Sequence, residues 1–364
     1  MAEVLTRKAL NRATLARQML LAREKTTALQ AVERLVGLQA QVPRPLFVAL
    51  WSRVEGFRAE ALIRLVHDRK AVRGTLMRGT LHLVSAKDYV AWRPVLQPML
   101  SAGMRNVLKD RSAGLDVDGV TRTARAHLER QPLTFDELRP LLKKAWPRAD
   151  ERALGYAVRT HLPLVQVPTD ARWGWPSSAA FALAEAWIGA TLGAGGGLPA
   201  LVLRYLAGFG PATVADAQSW SGMQALKDTF EALRPKLRVF RDERGRELFD
   251  LPKAPRPPAS MPAPVRFLPD YDVLLLGHAD RTRVVNDEHR KKLVTKNLQV
   301  LPAFLVDGMV AGTWKIERPR TSAALVVTPF EKLARTAQAE LTAEGRALLQ
   351  FTEPDAAKAE VSFG

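Results

Sequence analysis

Segments that favour helices, followed by segments that favour a β-hairpin, recur along the first two thirds of this chain. The clearest hairpin is Ala71–Ser85, where β-branched and apolar residues surround two glycines. The next unit combines a helix at Asp150–Thr160 with a short wing built from Leu164–Val167 and Arg172–Trp175. The last ends in the charged hairpin Leu237–Leu251. Helices followed by a basic hairpin are typical of a winged helix, in which a helix enters a DNA groove and the hairpin touches the backbone.

The starts of several helices and two linkers divide the chain further. Three helix starts have the spacing of a capping box, in which two side chains satisfy the first backbone amides: Thr27 with Gln30, Thr134 with Glu137, and Thr213 with Asp216. The glycine-rich segment Gly193–Gly197 has no phosphate-loop spacing and is interpreted as a linker. Leu251–Pro264 contains six prolines and predicts a semi-rigid boundary.

Beyond the proline-rich boundary the chain becomes rich in strand-forming residues. The predicted strands are Val265–Leu268, Val273–Leu276, Val300–Val306, Met309–Ile316 and Ala323–Val327. Asp307-Gly308 is a typical two-residue hairpin turn, and a closing helix is expected from about Glu331 to Leu349. We therefore predict an α+β fold of three tandem winged-helix units followed by a small β-barrel-like domain. The expected boundaries are 1–115, 116–192, 193–251, a linker at 252–264, and 265–364.

Composition narrows the class of function. The 364 residues include no cysteine, which excludes disulfides, thiolate metal sites and a cysteine nucleophile. Residues 1–130 carry 23 basic and 11 acidic side chains, a net charge of +12, whereas the remaining residues carry 31 and 26, a net charge of +5. A basic first third suits a phosphate backbone, although arginine-rich composition alone is an alternative explanation. No apolar signal core or membrane span is evident, so a cytoplasmic protein without a membrane partner is expected.

The segment Leu38–Pro43 carries two glutamines after an apolar helix. On a continuous helix, residues two apart point in different directions. Pro43, however, disfavours the helical conformation of the preceding residue, and in an extended segment Gln39 and Gln41 would project to the same side. Two carboxamides could then hold a water molecule between them. The alternative is a pair of amides that satisfy backbone groups at a helix end.

Six segments, taken in order, make the chain similar to the AlkZ/YcaQ superfamily of winged-helix DNA glycosylases. The segments are Leu10–Leu21, Leu38–Val54, Arg78–Tyr89, Phe209–Gly222, Leu268–Arg281 and Leu305–Trp314. The resemblance implies three winged-helix domains with a C-terminal β-barrel, and a catalytic Gln-x-Gln motif in the AlkZ branch. Gln39-Ala40-Gln41 matches that motif, so these two glutamines are the expected catalytic residues. The implied activity is hydrolysis of the N-glycosidic bond of cationic N7-alkylpurines, including those in interstrand crosslinks.

The expected partner is double-stranded DNA carrying alkylated purines, bound by a monomer without a cofactor or metal. The scattered histidines have no metal-ligand spacing. Candidate DNA contacts are Arg7, Lys8, Arg12, Arg17, Arg44, Arg78, Thr80, His82, Asp270, Tyr271 and Arg281. A solvated helix or strand face is the alternative for the basic residues, and a capped turn is the alternative for Asp270-Tyr271-Asp272. A non-catalytic DNA-binding regulator remains the rival function, because the fold alone does not decide.

Overall fold

A computed structural model describes residues 3–193, 195–297 and 299–364; Ala194, inside the predicted linker, lies outside these ranges. The helices are α1 Arg7–Arg17, α2 Ala28–Arg34, α3 Arg44–Trp51, α4 Ala59–His67, α5 Ala86–Leu108, α6 Val117–Leu128, α7 Phe135–Ala145, α8 Glu151–His161, α9 Ala184–Ile188, α10 Gly197–Phe209, α11 Val214–Ser221, α12 Lys227–Leu233, α13 Val273–Leu276, α14 Asp287–Leu293 and α15 Arg335–Thr352. The strands are β1 Val4–Leu5, β2 Leu38–Gln39, β3 Ala71–Thr75, β4 Leu81–Ser85, β5 Leu164–Gln166, β6 Phe181–Leu183, β7 Arg238–Asp242, β8 Glu247–Asp250, β9 Arg266–Leu268, β10 Ala303–Val306, β11 Met309–Glu317, β12 Ser322–Pro329 and β13 Lys358–Phe363. The α+β class is confirmed.

The first two predicted wings belong to one five-stranded sheet, with the strand order β2-β4-β3-β5-β6. β3 and β5 approach closely at Gly74, which pairs with Val165. A Cβ atom on Gly74 would lie 2.7 Å from the carbonyl oxygen of Leu164, so only glycine fits there. The sheet therefore joins the glutamine segment in β2 to the second helical unit.

The second wing does not have the predicted partner strand. β5 pairs with Phe181–Leu183, whereas Arg172–Trp175 lies in a loop. The Thr169 amide donates to the Gly174 carbonyl across this loop, and the Gly174 amide donates to the Ala171 carbonyl. The indole of Trp175 is buried and donates to the carbonyl of Gln166. Burial of this large apolar ring directs the segment into the core instead of the sheet edge.

The third predicted hairpin is present, with β7 and β8 joined by a turn in which Gly245 has a φ of 77°. The N-terminal strand β1 pairs in parallel with β7. The first residues of the chain thereby complete a sheet whose other strands lie more than 230 residues away in sequence.

The C-terminal sheet is open, in the order β13-β12-β11-β10-β9. Within the described residues its two outer strands do not pair with each other, so the expected barrel-like closure is wrong. The predicted strand Val273–Leu276 is instead a single helical turn capped by the Asp272 side chain. A short apolar run is compatible with a strand or a helix, and here the Asp272 cap stabilises the helix. The predicted Asp307-Gly308 hairpin turn is confirmed between β10 and β11.

None of the described helices combines the length and apolar character that a membrane span requires. The largest hydrophobic cluster of the described residues lies among α2, α3, α5, α10 and the sheet that contains β2. Separate clusters lie among α6, α7 and α8 and against the C-terminal sheet.

Candidate active site

The two glutamines follow the helix α2, which ends at Arg34. Leu38 and Gln39 pair with Leu83 and His82 of β4, and the amide of Ala40 donates to the carbonyl of Leu81 at 2.7 Å. The start of the motif is therefore extended strand, held by its pairing with β4. Its position is fixed by the hairpin β3–β4.

Gln39 is buried, with 8% of its surface exposed. Its Oε1 accepts a hydrogen bond from Nη2 of Arg78 at 2.9 Å. The same guanidinium donates through Nη1 to the carbonyl of Trp220 in α11. Gln39 is therefore oriented by an arginine that is itself held by a different part of the chain.

Gln41 is exposed at the rim of a cleft of about 250 Å³. Its Oε1 accepts from the backbone amide of Leu81 at 3.2 Å. The remaining lining residues come from the hairpin, from α7 and α8, from β5 and β6, and from the loop before β6: Thr75, Gly79, Leu81, Phe135, Arg159, Gln166, Ser177, Ser178, Ala179 and Phe181. Both amides thus contact the turn end of the hairpin, Gln39 through Arg78 and Gln41 through Leu81.

A buried arginine, missed in the sequence analysis, fixes the backbone of the glutamine motif. Arg73 donates from Nε to the carbonyl of Ala40 at 2.8 Å and from Nη2 to that of Gln41 at 3.1 Å. Burial lowers the pKa of Arg73 to about 10, so it remains charged at neutral pH. No ion pair among the described residues includes Arg73. The only sequence signal was an arginine inside an otherwise uncharged strand.

Arg78, Thr80 and His82 do not form the single strand face predicted from their alternation. Arg78 lies in a tight turn with a φ of 56°, and Thr80 precedes the strand and bonds back to the Met77 carbonyl. His82 is 1% exposed, which removes it from direct contact with DNA. Burial and the neighbouring Arg78 lower the pKa of His82 to about 3, so its ring is neutral.

The four basic residues predicted on α1 divide into two pairs. Arg7 and Lys8 are exposed, and Lys8 lies 3.5 Å from Asp307. Arg17 is buried in a two-bond ion pair with Asp250 at 2.7 and 2.8 Å. Arg12 is equally buried and pairs with Asp307. The prediction of phosphate contacts is wrong for Arg12 and Arg17, because their guanidinium groups bind protein oxygens inside the fold.

Three further predicted contacts are half-buried: Arg44, Asp270 and Tyr271. Arg44, in the first turn of α3, pairs with Glu353 at 3.0 Å, and burial together with Arg318 lowers its pKa. Burial raises the pKa of Asp270, and burial followed by Asp270 raises that of Tyr271. These three remain proposed DNA contacts.

Asp272 has a structural role, because it caps α13 and forms a fully buried pair with Arg53 at 2.7 Å. Arg281 is half-buried. Burial and the neighbouring Arg290 lower the pKa of Arg281. Arg281 in turn lowers the pKa of Arg78, although burial is the larger cause. The positive charge beside Gln39 thus comes from two parts of the chain.

Within the described residues, no group of three or more acidic or histidine side chains is arranged to hold a metal ion.

Comparison with known proteins identifies the class. A family model described as "DNA glycosylase AlkZ-like" matches residues 32–351. The chain therefore belongs to the AlkZ-like family of DNA glycosylases, as the sequence predicted.

Individual relatives agree with this assignment. An interstrand DNA cross-link repair glycosylase from Streptomyces sahachiroi is 28% identical over 350 residues, which cover 88% of this chain and 89% of the relative. The solved structure of the Streptomyces sahachiroi DNA glycosylase AlkZ superposes with a TM-score of 0.79 at 22% identity, covering 98% of this chain and all of that one. This likeness shows a shared fold.

Proposed function

We propose that this protein is a monofunctional DNA glycosylase that hydrolyses the N-glycosidic bond of cationic N7-alkylpurines, with water positioned by Gln39 and Gln41. The observation that carries the proposal is the fixing of both amide oxygens at one end of the hairpin, by Arg78 and by the Leu81 amide. An AlkZ-type use of the Gln-x-Gln motif is part of this proposal. Family membership favours an enzyme over a non-catalytic regulator.

The chemistry requires little from the protein beyond positioning. An N7-alkylated guanine carries a positive charge, so it departs from C1′ with the bonding electrons and becomes neutral. The oxygen of the water then bonds to C1′, and its proton passes to solvent. Each amide oxygen has two lone pairs, of which the protein uses one. The second lone pair and the amide hydrogens are available to orient the water.

A neutral amide is a weak base, so the same site is not expected to release stable, uncharged bases. Among the described residues, those that line the cleft include no lysine, which supports simple hydrolysis without an amine nucleophile. Arg78 and Arg281 provide positive charge for the phosphates that flank the lesion. We propose double-stranded DNA with alkylated purines as the substrate, bound by a monomer in contact with Arg7, Lys8, Arg44, Arg78, Thr80, Asp270, Tyr271 and Arg281.

Unhooking of interstrand crosslinks is the wider form of this proposal. The relative from Streptomyces sahachiroi is named as a cross-link repair glycosylase. Gln41 is exposed at the rim of its cleft, so the cleft can be reached from solvent. Such a site is compatible with a base that remains tethered to the opposite strand and cannot be fully extruded.

The test is release of N7-methylguanine from methylated duplex DNA by the wild type and by Gln39→Ala and Gln41→Ala. Loss of water positioning is expected to slow release by on the order of 100-fold in each variant. Gln131→Ala is a matched control, because Gln131 is exposed and does not line the cleft. Equal rates in all four proteins would contradict catalysis by the glutamines. Preference for one undamaged sequence over a lesion in a gel-shift assay would favour a regulator.

A further inference from the structure

The cleft beside Gln41 contains another glutamine, Gln166, which the sequence analysis did not single out. Gln166 is the last residue of β5 and pairs with Phe181 of β6. Only 8% of its surface is exposed, and it is one of the residues that line the cleft. Its side chain is therefore enclosed by protein except where it meets the cleft.

The backbone of Gln166 is held from several sides. Its carbonyl oxygen accepts a hydrogen bond from the indole nitrogen of Trp175 at 3.3 Å. The strand that carries it, β5, lies between β3 and β6 in the sheet. A side chain that starts from an inner strand has a well-defined position, as a residue that recognises a substrate requires.

The side-chain oxygen of Gln166 is buried and has no hydrogen-bond partner among the described residues. Leaving a buried acceptor without a partner costs free energy, and such a group in a native protein requires an explanation. Gln39 and Gln41, by contrast, each have a protein donor on Oε1. The terminal amide of a glutamine turns readily about its last bond, so the Gln166 oxygen can be presented to a donor in the cleft.

DNA offers few donors that could bond to this oxygen. The phosphate and sugar oxygens within a strand only accept hydrogen bonds, so the donors are the N–H groups of the bases. In a guanine, N1–H is paired with cytosine, whereas the 2-amino group also presents a hydrogen in the minor groove. The minor-groove edge of the base lies beside C1′, the atom that the proposed water attacks. An acceptor in the cleft of Gln41 therefore suits the 2-amino group.

We propose that Gln166 accepts a hydrogen bond from the 2-amino group of the damaged guanine and so determines specificity among cationic purines. The inference rests on the proposed function, and it deepens that function by naming a residue that recognises the base. Arg159 is the one charged side chain among the described lining residues, and its guanidinium lies 5.0 Å from the ring centre of Phe135. No carboxylate in the described lining competes with the Gln166 oxygen for the amino group.

The test compares two cationic bases in the same duplex, N7-methylguanine and N7-methylhypoxanthine, which lacks the 2-amino group. Released bases are measured by liquid chromatography and mass spectrometry, and the readout is the ratio of kcat/KM for the guanine lesion to kcat/KM for the hypoxanthine lesion. The two bases differ in intrinsic leaving ability, but this difference is the same in every variant and cancels when ratios are compared. Gln166→Met, which keeps an unbranched side chain without the amide, is expected to lower the ratio about tenfold.

Two further variants separate recognition from packing. Gln166→Glu keeps acceptor oxygens at the same distance from the backbone, so its ratio should stay within about twofold of the wild-type value. Gln18→Met is the matched control, because Gln18 is also buried with an unpartnered Oε1 among the described residues but does not line the cleft. Its ratio should be unchanged, because a loss of folded protein lowers both rates equally.

A wild-type ratio in Gln166→Met would overturn the inference and leave the proposed function intact. An equal fall in Gln166→Glu or in Gln18→Met would also overturn it, because the effect would then not depend on an acceptor in the cleft. If Gln166→Met does not fold, the ratio in Gln166→Ala decides in the same way. A wild type that releases neither base would contradict the proposed function, and the inference would fall with it.

Discussion

Arg78 donates a hydrogen bond to Gln39 Oε1 across 2.9 Å while its other terminal nitrogen binds the carbonyl of Trp220. One guanidinium therefore connects the proposed catalytic amide in the first sheet to the helix α11. Arg78 reaches both partners from a left-handed backbone conformation that non-glycine residues seldom adopt. Strained residues of this kind are frequent where a side chain must be aimed, and we interpret Arg78 as the residue that positions Gln39.

The first prediction concerns this positioning role. Arg78→Lys keeps the positive charge but loses the planar fork that bonds both partners. We expect kcat for release of N7-methylguanine to fall by on the order of tenfold, with a small change in Kd for undamaged duplex DNA. Arg130→Lys, at an exposed site, is the control. A variant that loses DNA affinity at unchanged kcat would show that Arg78 only binds phosphate.

The second prediction uses Gly222, which ends α11 with a φ of 80°. A Cβ atom there would lie 3.0 Å from Cα of Arg78. Gly222→Ala is therefore expected to move Arg78 and slow base release. Gly245→Ala is matched for backbone strain, since its φ is 77° and its Cβ would have no atom within 4 Å. Both should lose about 1 kcal/mol in the free energy of unfolding, but only Gly222→Ala should lose activity; equal activities would contradict the prediction.

Local signals in the sequence were sufficient for many elements. The capping box of Thr27 and Gln30 forms as predicted, because both side chains act within one helical turn. The Asp307-Gly308 turn forms because both residues tolerate positive φ. Pro43 excluded a helical conformation only at Val42, whereas the extended conformation of Leu38 and Gln39 comes from their pairing with β4.

Features that depend on distant residues could not be predicted. The sequence shows Arg12 and Arg17 as a basic stripe on α1, and nothing nearby indicates that both are buried and paired with Asp307 and Asp250. Arg73 binds backbone carbonyls more than 30 residues away. Every residue has a backbone carbonyl, so the sequence does not indicate which of them a side chain binds. The number of winged-helix units and the domain boundaries remain predictions.

The third prediction separates the buried from the exposed cations of α1. Arg17→Met leaves Asp250 with one fewer partner inside the protein, and removal of one member of a buried pair costs about 3–5 kcal/mol. Lys8→Met, whose pair with Asp307 is exposed on both sides, should cost about 0–1 kcal/mol. Urea unfolding measures both. A small loss in Arg17→Met would contradict a structural role for this arginine.

The fourth prediction concerns pH. The pKa of His82 is about 3 in the folded protein because of burial and Arg78, against about 6.5 in the unfolded chain. Below pH 6.5 the unfolded chain binds a proton that the folded protein excludes, so stability is lost as the pH falls. Between pH 7.5 and 5.5 the wild type should lose about 1.4 kcal/mol more than His82→Gln. Identical losses in urea titrations would show that His82 protonates freely.

Gln39 and Phe181 belong to one sheet, and this affects how a damaged base can reach the site. Strands β3 to β6 of this sheet line the cleft, and where β3 meets β5 the close contact of Gly74 with the Leu164 carbonyl leaves no room for a side chain, so we expect the cleft walls to move little when a nucleotide binds. Bending and unstacking of the duplex must then bring the damaged purine to the water. Lesions that already weaken stacking would be engaged first, before any base-specific contact is made.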